Sequence, residues 1–166
     1  MQTITRVYDT YGQARRVVAE LDENEQQLQK AKETLNAARE TAATVQGENV
    51  KLKEEMEALR GQITQLEQAF ADADWHHPGA KGHGTPCPLC SQLMNEDVYQ
   101  RVRDSYEQEG QTRKRRYMAN KRRHEELQQE VARLEKQVTQ LDTRLRPRAM
   151  AQKRETTLDR EVSAAQ

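Results

Sequence analysis

Residues 76–90 read His-His-Pro-Gly-Ala-Lys-Gly-His-Gly-Thr-Pro-Cys-Pro-Leu-Cys. Three Gly and two Pro fall within residues 76–86, a density that a helix does not tolerate. The stretch lies near the middle of a 166-residue chain and holds its only two cysteines, Cys87 and Cys90. On each side lie about 75 residues of helix-forming sequence, so the break sits between two arms of similar length.

The arm that precedes the break is periodic. Val17, Leu21, Asn24, Leu28, Ala31, Leu35, Ala38, Ala42, Val45, Asn49, Leu52, Met56, Leu59, Ile63, Leu66 and Phe70 alternate in steps of three and four. A stripe this narrow and this long is the seam of a coiled coil. Asn49 falls on the seam, where a buried Asn fixes register and partner number at a cost in stability. Residues 1–9 fit either a short strand or frayed helix, and Thr10 with Gln13 has capping-box spacing.

After the break, Asn95 followed by Glu96 and Asp97 reads as an N-cap with acidic residues in the first turn. Met94 and Tyr99 are spaced for a hydrophobic staple across that cap. The seam of the second arm begins untidily, with Tyr99, Tyr106, Gly110, Arg113, Tyr117, Asn120 and His124 on or near it. It then regularises through Leu127, Val131, Leu134, Val138, Leu141 and Leu145. Pro147 breaks this arm, and Leu158, Val162 and Ala165 resume the pattern.

Composition agrees with an extended helical pair and not with a compact core: 34% of residues are hydrophobic, 4% aromatic and 33% charged. Residues 1–74 carry 9 basic and 14 acidic side chains, and residues 91–166 carry 17 and 13, so the arms differ in sign at −5 and +4. The expected fold is all-α, an antiparallel coiled-coil hairpin. Its first arm covers residues 1–75, its apex residues 76–94, and its second arm residues 95–166, broken near Pro147.

The net charge is zero, which gives no bulk argument for nucleic acid or membrane. Seven basic residues do crowd into residues 113–123: Arg113, Lys114, Arg115, Arg116, Lys121, Arg122 and Arg123. They suit either DNA phosphates or a solvated face paired with the acidic first arm. No run of 18 apolar residues exists and the N-terminus has no signal pattern, so the expectation is a soluble intracellular chain without membrane contact.

In such a setting C-x-x-C reads as metal-binding or redox. Thiolates are preferred ligands of structural Zn²⁺, which takes four ligands, and the chain supplies two cysteines. A second copy could complete a Cys₄ site. His76, His77 or His83 could complete one within a single chain. The third reading is a redox pair, although that motif usually opens a helix in a βαβ domain and no such domain is indicated.

Cys87, Pro88, Leu89 and Cys90, with Met94, Asn95 and Glu96 after them, resemble the zinc-hook apex of the Rad-fifty and SbcC group of SMC-like DNA-repair ATPases. The resemblance covers residues 85–99, and Ser91 stands where that group often has Gly. It implies that Cys87 and Cys90 share one Zn²⁺ with a second hook, giving a homodimer joined at its apices with one ion per two chains. It also implies a tethering role in DNA double-strand-break repair, with a nuclease partner in the parent complex. No G-x-x-x-x-G-K-[ST] loop occurs, so the chain itself is not expected to be an enzyme. It reads as the apex of a longer ATPase or as a free-standing scaffold using the same device.

Overall fold

A computed structural model describes residues 2–72 and 86–164 of the chain. The described residues form helix α1 (Gln2–Asp72), helix α2 (Glu96–Leu145) and helix α3 (Arg148–Ala164), with a tight turn before α2. The fold is all-α and coiled-coil-like, as the 3–4 periodicity requires. Among the described residues no helix is long and apolar enough to cross a membrane.

The chain divides into two compact units, Met1–Thr41 with Leu127–Gln166, and Ala42–Glu126. In the first unit α1 pairs with the end of α2 and with α3. Leu28 and Ala31 pack on Leu141, and Leu35 and Ala38 on Leu134, with Val131, Val138 and Leu145 at their edges. Residue number rises along one helix as it falls along the other, so the pair is antiparallel. Each fully buried Leu contributes about 1.5–3 kcal/mol through apolar area withdrawn from water.

Of residues 1–9, those from Gln2 onward are helical. Helix begins at Gln2, and Thr10 sits inside it, its hydroxyl donating to the Arg6 carbonyl at 2.7 Å instead of capping. The seam there differs from the expected one. Val17 is 47% exposed, whereas Ala14 is buried and Val18 half-buried.

The cause lies in the partner. Leu145, Arg148 and Ala151 are all partly buried around Pro147, two successive steps of three. Asn24, Leu21 and Val18 take the same two short steps on α1. Such an insertion overwinds a helix pair locally and shifts the seam by one position. Arg148 occupies the shifted level and is held by Asp22 at 2.9 Å and by Glu25. Beyond it, Leu158 is half-buried and Val162 buried, as expected from their spacing.

In the second unit the seam of α1 keeps its expected register, with Leu52, Leu59 and Leu66 buried. The opposing residues of α2 are weaker, and Tyr106, Gly110, Arg113, Tyr117, Asn120 and His124 are all only partly buried. A cleft of about 600 Å³ opens there, lined by Met56, Leu59, Ile63, Tyr106 and Gly110 among others. Arg113 reaches Glu55 at 2.8 Å, and Arg116 and Asn120 reach Glu48 at 3.4 and 3.1 Å. These pairs join acidic α1 to basic α2, the sense anticipated from the charges of the arms. Arg39 with Glu135 in the first unit runs the other way.

Candidate metal centre

The turn that carries the cysteines is built from its neighbours inward. Asn95 caps α2, its Oδ1 accepting from Val98 N–H at 2.8 Å, and the first helical bond runs from Tyr99 N–H to the Asn95 carbonyl at 2.9 Å. Met94 and Tyr99 pack in one cluster with Leu66, Cys87 and Val98, so the staple forms across the cap. Phe70 stacks on Tyr99 with ring centroids 4.0 Å apart and planes 16° from parallel. This cluster fixes the start of α2 against the end of the first arm.

Residues 86–93 fold back on themselves. Pro86 and Leu93 form an isolated antiparallel bridge, Cys87 N–H donates to the Gln92 carbonyl at 2.7 Å, and Ser91 N–H donates to the Cys87 carbonyl at 2.9 Å. Closing so tight a loop requires a left-handed residue, and Ser91 takes that conformation with φ of 58°. Serine therefore adopts the backbone that glycine would adopt freely, at a cost on the order of 1 kcal/mol.

The two thiols are close but differently placed. Cys87 is buried at 2% exposure in the Leu66 cluster, and Cys90 is exposed. Burial pushes the Cys87 thiol up. The backbone N–H groups of Leu89 and Cys90 and the Cys90 side chain all donate to its sulfur, and together they hold it below the ordinary thiol value. Such a turn offers two sulfurs side by side, with amide donors that favour negative charge on one of them. That donor set suits half of a tetrahedral thiolate site. Among the described residues no group of three or more His, Cys, Asp or Glu could hold a metal ion.

His76, His77 and His83, the alternative ligands, lie outside the described residues, as does Thr85. Val98, Gln92 and Arg101 were not singled out by the sequence. The carbonyl of Gln92 receives Cys87 N–H, and its side-chain oxygen accepts from Arg101 at 2.7 Å, bracing the turn on α2. No local signal marks these two polar residues, whereas Val98 follows from the cap, because the residue at the third helical position faces the cluster. No family model, curated protein or solved structure matches the chain.

Proposed function

We propose that the chain is a tether whose apex carries half of a zinc site, completed by the same half from a second copy. The observation that carries this reading is the Cys87–Cys90 turn. Two sulfurs lie within hydrogen-bonding reach, with the Leu89 and Cys90 amides directed at one of them. Zn²⁺ bound there would supply a charge that draws four thiolates together. Cys87 and Cys90 would contribute two of them, and the partner's equivalent pair the others. Because one apex alone offers too few ligands, much of the metal's binding free energy becomes association energy. A complete structural site binds with about 10–16 kcal/mol at neutral pH, and joining two chains offsets part of that.

The biological setting rests on the resemblance of residues 85–99 to zinc hooks. On that ground the tether belongs to a DNA double-strand-break repair ATPase inside the cell, and a free-standing scaffold is the other reading. ATPase halves flanking this segment in its native reading frame select the first, and their absence selects the second.

Metal content measured together with mass in solution tests the site itself. A shared site gives one Zn²⁺ per two chains, and chelation halves the mass. One ion per chain with no change in mass on chelation overturns it in favour of a site within one chain. A reversible Cys87–Cys90 disulfide in a protein that takes up no zinc overturns it in favour of a redox pair.

A further inference from the structure

The basic stretch of α2 divides into two populations. Arg113 is engaged by Glu55 and Glu109 at 2.8 and 2.9 Å, Arg116 by Glu48 at 3.4 Å, and Arg123 by Glu126 at 3.6 Å. Among the described residues Lys114, Arg115, Lys121 and Arg122 have no carboxylate within 4.0 Å, and all four are exposed. Pairing with the acidic first arm therefore accounts for Arg113 and Arg116 and leaves these four without an ion pair to it.

Their spacing arranges them. Lys114 and Lys121 are one heptad apart, as are Arg115 and Arg122, so they form two adjacent stripes repeating every ~10 Å along the helix. Lys53 on α1 extends the same surface. Glu48 and Glu55 lie on one flank of the α1 seam, and Lys53 and Arg60, also one heptad apart, lie on the other. Arg60 lines a common cleft with Lys114, which identifies that flank as the one carrying Lys114 and Lys121. Asp104 and Glu107 line this cleft too and offset Arg60. Glu57 stands one turn from Lys53, Glu125 one turn from Lys121 and Glu126 one turn from Arg122, whereas Lys114 and Arg115 have no acidic residue three or four positions away, and residues 113–126 carry seven basic against two acidic side chains.

We infer that this face of the second unit binds the phosphate backbone of a nucleic-acid duplex without regard to sequence. The choice between a polyphosphate and an acidic protein helix follows from what surrounds the charges. A docking helix needs a broad apolar stripe, and within residues 113–123 Met118, 50% exposed, is the one exposed large apolar side chain. Phosphate contacts need only charge, and adjacent exposed Lys and Arg provide it. The zero net charge of the chain conceals this patch, because, Glu125 and Glu126 apart, the carboxylates that balance it lie elsewhere.

Fluorescence anisotropy of the full chain with a labelled random-sequence DNA duplex of about 20 base pairs tests the inference. Four to five phosphate contacts give a log–log salt slope of about −4, so affinity falls by about two orders of magnitude between about 50 and 200 mM salt. Replacing Lys114, Arg115, Lys121 and Arg122 together by Gln should weaken binding at least tenfold, with the helical circular-dichroism signal unchanged. Replacing Arg133, Lys136, Lys153 and Arg160 by Gln removes equal charge elsewhere and should leave affinity within about twofold. The measurement uses one duplex per chain, and the Cys87→Ser, Cys90→Ser double variant should bind it equally, which separates this surface from the zinc reading. Absence of binding at low salt, equal losses in the two Gln variants, or displacement of DNA by poly-glutamate at equal charge overturns the inference.

Discussion

Asn49 sits on the seam with its side-chain Oδ1 buried and without a hydrogen-bond partner. An unsatisfied buried acceptor costs about 1–3 kcal/mol, so Asn49→Leu should raise stability by that order. It should also loosen register, because any apolar layer accepts Leu. Urea midpoints and sedimentation read the two effects, and a lowered midpoint would count against a buried, unbonded Asn49.

Cys87 gives a second prediction at the same scale. Its thiol titrates below the ordinary value when folded, so between the folded and unfolded values the unfolded state holds more protons. In metal-free protein this contribution is absent in acid, grows as pH rises through that window and is complete above the unfolded thiol value. Ultraviolet titration of thiolate with Cys90 replaced by Ser checks the direction, and a Cys87 midpoint above the ordinary thiol value contradicts it.

At the scale of the helices, the register can be tested directly. Leu66 is fully buried, and Leu66→Ala should cost about 2–5 kcal/mol. Val17 lies outside the observed seam, and Val17→Ala should stay within about 0.5 kcal/mol. Comparable losses at the two positions would restore the uninterrupted seam. Gly110 occupies a seam level where an added Cβ meets nothing within 4 Å, so Gly110→Ala should gain about 1 kcal/mol from helix propensity alone. Thermal melts of the three variants make the comparison.

Most of this level was legible in the sequence. The steps of three and four located the buried leucines from Leu21 to Leu66 and from Leu127 to Leu141, because a narrow apolar stripe has no other way to leave water. Asn95, Glu96 and the Met94–Tyr99 staple were legible because a cap is a local arrangement. Val17 was misplaced because the change of register depends on where the opposing helix restarts after Pro147. The brace of Gln92 and Arg101 on the cysteine turn was hidden, since it depends on a fold-back of residues that lack periodicity.

For the molecule as a whole, the seams and not the cysteines should hold the helices together. Replacing Cys87 and Cys90 by Ser is expected to abolish zinc uptake and association while leaving the far-UV helical signal nearly intact. Loss of most of that signal would make metal a requirement for folding. Replacing His76, His77 and His83 by Ala should leave both the zinc ratio and the dimer mass unchanged, and release of the ion would transfer the site to a single chain. Acid should weaken association, because protons compete for the thiolates.

The unequal shelter of the two sulfurs makes the apex its own timepiece. A solvent-borne alkylating reagent meets Cys90 at once, but Cys87 only when the cluster of Leu66, Met94, Val98 and Tyr99 parts. The lag between first and second modification in metal-free protein therefore measures how often that cluster opens, a local event with its own free energy. A variant that lengthens the lag has tightened the tip, even where the global melting temperature does not move.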